Sequence, residues 1–330
     1  MNAGAPMGDS PDHLASLSRA RVSSALGSTD AESTNAVCRC DTSGVAADEN
    51  TKFVIAHPAV AVICWGTYYH PIIRVGAGTR INAGLDAAKR LCQDLLAGQY
   101  VNQLSQYGVG HGSVVQAVQL NVNPPATLTE AEAATFLKGN IPGGVRSPAV
   151  DEANLLYVLF LDPATKPTVL DSSGMPLPTG SFCGYHKSAK YNDNSVGDDL
   201  FYAVIRTDNR KGNTPAGTIA NVAYCVSHEL AEIVTNPRDT QGYTGTQGCE
   251  ISDLCETGGK CGTNCCTTFG YRNWNVEQYW SNWASNCVRG DDPVSMRNVL
   301  STTVGGFSFR ALKTPIINIE YIASRYRNFP

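Results

Sequence analysis

No run of roughly 18 apolar residues, the length that a membrane-spanning helix requires, occurs in this chain of 330 residues. Lysine and arginine form no cluster, and a net charge of −4 with a pI near 5.9 leaves no electrostatic footprint for nucleic acid. The opening MNAGAPMGDSPDHLASLSRARVSSALGS has no continuous apolar core, so no secretory signal is read there, and Asp9 and Asp12 argue against a transit peptide. Asn-x-Ser/Thr sequons are absent, so glycosylation says nothing about compartment. Also missing are an HExxH helix and the usual CxxC pairs, so no zinc motif is given outright. Charged residues make up 16% and hydrophobic residues 42%, a weakly charged globular balance. Such a length can bury one large core or two smaller ones.

Cysteine is what the chain has in excess, with twelve residues. Cys249, Cys255, Cys261, Cys265, Cys266 and Cys287 crowd into the last third. In a secreted protein such crowding is a disulfide framework, and in a cytosolic one it is more often a metal site. The missing CxxC pairs favour disulfides and hence an extracellular, secreted protein, as a mature form or one exported by another route; a cytoplasmic location is the alternative.

Residues 1–50 are rich in Ala, Ser, Gly, Thr and Asp and read as a flexible lead-in. Order begins at FVIAHPAVAVICWGTYY (53–69), a buried strand, followed by a helix over 81–98 with Gly98 placed as its cap. The glycine-rich 75–84 lacks both the dinucleotide spacing and a GK[ST] ending and reads as a plain loop. Further strands are expected over 113–122, 155–161, 181–188 and 200–206, and a helix capped by Thr127 or Thr129 runs to Gly139-Asn140. A helix over 218–236, a Cys/Trp-rich part over 238–290 and a closing strand over 307–322 complete the reading. There are no internal repeats. The fold class is α/β (α+β): a single domain over 51–330, with a mixed sheet, packed helices and a disulfide-braced C-terminal part.

The stretch SHELAEIVTNP (227–237) carries the chemistry. At about 100° per residue, Ile219, Val222, Ala223, Val226, Leu230, Ile233 and Val234 form one apolar stripe. His228 and Glu232 fall on the opposite side with Cys225, and Glu229 lies on the flank. Residues four apart are neighbours on a helix, so His228 and Glu232 can bind one ion, and zinc accepts both donor types. Glu229 stands where the general base of HExxH enzymes stands. A polar face opposite a core stripe is also what any solvated surface helix shows. Two features weigh against that reading. Cys225 implies that the polar side is covered, and CEISDLCE (249–256) supplies further carboxylates downstream. Glu250 is the first choice for a third ligand, Asp253 the second and Asp239 the third. A ligand set with one histidine and two carboxylates lowers the Lewis acidity of zinc, and a harder ion such as calcium or manganese is the alternative.

HELAEIVTNP, then EISDLCE, then the late WSN and Cys287, resembles the EXORDIUM or phosphate-induced protein 1-like group, secreted plant proteins with bacterial and other relatives. FCGYH (182–186) and CWGTYY (64–69) fit its earlier strands, and the resemblance is concentrated in 180–288. It implies a zincin-like active helix in an extracellular, disulfide-containing protein, with His228, Glu229, Glu232, Glu250 and Asp253 as the polar centre and His186 beside it. Family members are chiefly associated with growth and cell-wall signalling.

Three functions follow as expectations. The first is a zinc-dependent, peptidase-like hydrolase in which Glu229 activates water and His186 or Tyr185 polarises the carbonyl. The second is a non-catalytic secreted protein that binds a peptide or a cell-surface or cell-wall component. Tyr271, Trp274, Tyr279, Trp280 and Trp283 would then be its stacking platform, unless they form a hydrophobic minicore, the better reading for Trp280. In the third, a metal merely braces the C-terminal loops.

Overall fold

The computed structural model describes residues 46–47, 53–70, 72–75, 79–140, 152–170, 174–178, 182–190, 199–208, 210–238, 241–245, 248–255 and 268–290. All lie in the compact unit Cys38–Pro330. The expected strand over 307–322, the CGTNCC cluster, Asp239 and most of the lead-in fall outside the described residues. At the end of that lead-in, Ala46–Ala47 pairs antiparallel with Tyr243–Thr244.

A five-stranded mixed sheet organises the molecule. Its strands are β1 (Ala59–Trp65), β2 (Ser113–Leu120), β3 (Leu155–Leu161), β4 (Gly184–Lys190) and β5 (Asp199–Ile205), in the spatial order β2-β1-β3-β5-β4. The first four in that order run parallel, and β4 is antiparallel to β5 at the edge. AVAVICW and LLYVLFL are buried at every position because helices cover both faces of the sheet. On one face, Val60, Val62, Leu156, Val158 and Phe160 meet helices α1 (Ala83–Ala97), α3 (Pro215–Asn221) and α4 (Ala223–Thr235). On the other, Ala61, Ile63, Tyr157 and Leu159 pack against Ala133 and Leu137 of α2 (Glu130–Asn140).

Local chemistry sets the helix ends. Asn82 caps α1 by accepting from the Leu85 N–H, and Thr129 and Glu132 form a reciprocal capping box on α2. Several details differ from the sequence reading. Residues 79–82 form a hairpin with Ile72–Val75, so 75–84 is not a plain loop. Gly98 caps α1 as expected but in an extended rather than left-handed conformation; a Cβ there would collide with the Tyr271 hydroxyl. The single helix expected over 218–236 is two helices broken at Val222, and the first starts at Thr214-Pro215, a side-chain cap followed by proline in the first turn.

The aromatic C-terminal part forms small hairpins: β6 (Thr268–Tyr271) with β7 (Trp274–Glu277), and β8 (Tyr279–Ser281) with β9 (Asn286–Val288). Tyr271 and Tyr279 pack against Tyr100 in the core and Trp280, next to Tyr279 in sequence, is buried as well, so these three offer no stacking platform to a ligand. Trp274 and Trp283 are only half-buried, and the Trp274 indole N–H donates to Asp94 Oδ2 at 2.8 Å. Two disulfides between described residues brace this half of the molecule. Cys183–Cys225 ties the approach to β4 to α4, and Cys255–Cys287 ties the acidic loop to β9. Cys249 is also disulfide-bonded.

Candidate metal centre

The polar face of α4 is not solvated. It turns toward β4 and β7, and Cys225, Glu229 and Glu232 are buried there. Close approach to β4 depends on Gly184, where a Cβ would sit 2.9 Å from Cys225 Sγ and 3.0 Å from Glu229 Cγ. His186 of β4 points at the same face of α4, and the disulfide one residue before Gly184 fixes the two elements together. Between them and the loop 248–255 lies a cleft of about 390 Å³, bordered by His186, His228, Glu229, Glu232, Glu250 and Asp253. All six residues singled out from the sequence are therefore brought together.

His228 is the best-defined member. Its Nδ1 lies 3.1 Å from Oε2 of Glu277, a residue of β7 that is only 3% exposed. A carboxylate can only accept, so Nδ1 donates its proton to Glu277, and Nε2 is the atom that can exchange its own proton for an ion. That Nε2 faces Glu232 Oε2 at 3.1 Å and Asp253 Oδ1 at 3.8 Å. A backing carboxylate of this kind fixes the tautomer and raises the basicity of a metal-ligating histidine. The sequence reading missed Glu277. Its one available signal was a charged residue between Val276 and Tyr279, in a stretch rich in aromatic residues.

Of the two carboxylates singled out downstream, the second choice, Asp253, faces His228, and the first choice, Glu250, faces His186. Asp253 serves the His228 side, with its backbone N–H donating to Glu232 Oε1 at 3.1 Å. Glu250, the first choice from sequence, is drawn away by Asn236, whose Nδ2 donates to Glu250 Oε1 at 2.7 Å. Glu250 Oε1 instead lies 3.3 Å from His186 Nε2. The asparagine of the TNP turn thus orients a site carboxylate, while its Oδ1 accepts from the Gly242 N–H. His186, expected to polarise a carbonyl, is enclosed by carboxylates: Nδ1 lies 3.2 Å from Glu229 Oε2 and 3.8 Å from Glu232 Oε2. The two residues expected to be catalytic are hydrogen-bonded to each other. Tyr185, the other candidate on that strand, borders the same cleft but packs its side chain into the core on the opposite face of the sheet.

Five carboxylates (Glu229, Glu232, Glu250, Asp253, Glu277) meet two imidazoles, so even two protonated rings leave the cluster three positive charges short. The titration of the groups records this excess. Burial pushes Glu232 up to about 8, with the neighbouring Asp253 and Glu250 charges adding to the push and His228 opposing it. Burial also raises Asp253. For His228, burial opposes the charged ring, but Glu232 and Glu277 outweigh it and hold the ring well above its ordinary value. Glu250 and Glu229 do the same for His186. In return His186 and Asn236 hold Glu250 low against the effect of burial.

Two groups in this cluster have the spacing to hold a metal ion, His228/Glu232/Asp253 and His186/Glu232/Glu250, each with all its donor atoms within 4.8 Å of one another. Cys183, Cys225 and Glu229 are also close, but both sulfurs are already bonded to each other. An ion that displaces the Nε2 proton would meet donors that fit it: an imidazole nitrogen backed by a buried carboxylate, and carboxylate oxygens beside it. The donor set does not by itself select which metal. Among the described residues no helix is long and apolar enough to cross a membrane, and the disulfides are compatible with an extracellular setting. No family model, curated protein or solved structure matches the chain.

Proposed function

We propose that the protein is a secreted metal-dependent hydrolase of the peptidase type, with a divalent cation, zinc in the first instance, held by His228, Glu232 and Asp253. The observation that carries this reading is the His228 ring, locked by Glu277 on Nδ1 and facing two carboxylates with Nε2 at the wall of a cleft. The ion would supply the positive charge that polarises a carbonyl and acidifies a water. Glu229 borders the same cleft and follows His228 directly, which suits it to take the proton from that water. Its other contact, to His186 Nδ1, holds the carboxylate in place. A peptide is favoured as substrate because β4 is an edge strand, paired only with β5 among the described residues, and can take an extended chain alongside it. The resemblance to the EXORDIUM group supports the zincin-like character of α4 and the extracellular location.

One observation favours a second reading. With one histidine and two carboxylates, the ligand set dampens the Lewis acidity of the ion. The ion would then organise a non-catalytic surface that binds a peptide or cell-wall component, as the cell-wall association of the resembled group implies.

Elemental analysis of wild type, His228→Ala and Glu232→Ala after purification with zinc tests the centre. Digestion of a peptide library by wild type and Glu229→Gln tests the chemistry. Bound zinc that both alanine variants lose, with cleavage lost in Glu229→Gln, is the expected result. Zinc without cleavage selects the second reading. A wild type without stoichiometric metal ends both.

A further inference from the structure

We propose that the cluster is built for two cations rather than one, the second held by His186 and Glu250, with Glu232 bridging the pair. This inference rests on the metal centre above for its first cation and adds a site of its own.

The two histidines are supported in the same way. His228 Nδ1 rests on Glu277 at 3.1 Å and His186 Nδ1 on Glu229 at 3.2 Å, and both carboxylates are buried. In each case Nδ1 is the donor, and Nε2 is left as the ligand atom. His186 Nε2 is fully enclosed and has no hydrogen-bond partner, although the residue is only 6% exposed. Glu250 Oε1 faces it at 3.3 Å as an ion-pair partner. A neutral imidazole would turn its Nε2 lone pair on that carboxylate oxygen, so either the ring proton or a metal ion must lie between them, and a divalent cation would take the place of that proton. The spacing fits one. Bonds of about 2.1 Å arranged tetrahedrally place neighbouring ligand atoms about 3.4 Å apart.

Glu232 is the common member of both donor groups. Its Oε1 accepts the Asp253 N–H, and its Oε2 lies between the rings, 3.1 Å from His228 Nε2 and 3.8 Å from His186 on the Nδ1 side, so bridging to the second cation requires the carboxylate to turn toward Nε2. The charges point the same way. With both rings neutral the five carboxylates carry a formal −5; one divalent cation leaves −3 and two leave −1. Each site offers one nitrogen and two carboxylates, with Glu232 shared, a borderline-hard set that suits zinc or manganese.

The test is zinc stoichiometry of the full chain by elemental analysis, with competitive chelator titration to resolve the two affinities. Two zinc ions per chain are expected in wild type. Glu250→Gln and His186→Asn should each keep one, His228→Ala should keep at most one, and Glu232→Ala should weaken both. Glu250→Gln is the safer variant, because residue 250 is partly exposed and the glutamine can still accept from Asn236. Manganese-loaded wild type should show a spin-coupled resonance signal that Glu250→Gln replaces with that of an isolated ion. One zinc per chain in wild type overturns the second site and leaves the first standing. So do two ions that persist in both variants. No bound metal at all overturns both readings.

Discussion

Replacing Glu277 with glutamine removes one negative charge from beneath His228 and leaves the shape of β7 almost unchanged. The carboxylate is 3% exposed and lies 3.1 Å from His228 Nδ1, and its own backbone is fixed by a bond from the residue 277 N–H to Ser227 Oγ at 2.8 Å. The glutamine carbonyl can still accept from Nδ1, so the ring keeps its orientation but loses the charge that makes Nε2 a stronger donor. Alanine removes both the acceptor and the charge and leaves Nδ1 without a partner. Outer-shell partners of metal-binding histidines are typically worth 10- to 100-fold in affinity, or about 1.4 to 2.7 kcal/mol. Glu277→Gln should therefore weaken zinc binding by about tenfold and Glu277→Ala by about a hundredfold. Competition against a fluorescent zinc chelator measures both, with circular dichroism to establish folding. If both variants bind zinc as wild type does while His228→Ala does not, then Glu277 does not support the ligand, and the argument from the locked ring fails.

Further outcomes follow from the same geometry. In chelator-treated protein, Glu232 at about 8 and the two raised histidines make the folded chain bind more protons than the unfolded chain. That stability is fully present below the unfolded values and is lost as pH rises through the folded ones. Urea midpoints should therefore fall between about pH 5 and pH 8, whereas zinc, which displaces the protons, should bind more tightly over the same interval; a midpoint that rises in the metal-free protein contradicts the charge account. Replacing Cys183 and Cys225 with serine opens a loop closed across a sequence separation of 42, worth about 4 kcal/mol on chain-entropy grounds. Zinc affinity should drop with it, because β4 is then free to move His186 away from Glu229; thermal melts that leave the pair indistinguishable from wild type refute this. Gly184→Ala places a methyl 2.8 Å from the Val204 carbonyl oxygen and 3.0 Å from Glu229 Cγ. A loss of about 1–3 kcal/mol is expected from such overpacking, together with weaker metal binding, read by denaturant titration and by the chelator assay.

Much of the scaffold was legible because its signals are local. AVAVICW and LLYVLFL announce strands buried on both faces, and the helical spacing of Leu91, Cys92, Leu95 and Leu96 announces the apolar side of α1. The pairing of His228 with Glu232 follows from helix pitch alone, and Cys225 on their face marked it as covered. The break at Val222 escaped because a stripe of apolar residues runs through both helices, and only the Thr214-Pro215 cap marks where the first begins.

The sequence by itself determined the donor types, the i, i+4 pair on one helix and the buried strands, since these depend on neighbours within a turn or a pleat. Only the tertiary structure decided which carboxylate meets which ring. Glu277 reaches His228 across 49 residues and His186 reaches Glu229 across 43. Asn236 turns Glu250 toward His186, and Asp253 is left for His228. Such contacts are set by how β4, β7 and the loop between Cys249 and Cys255 pack on α4, and no periodicity along the chain encodes them.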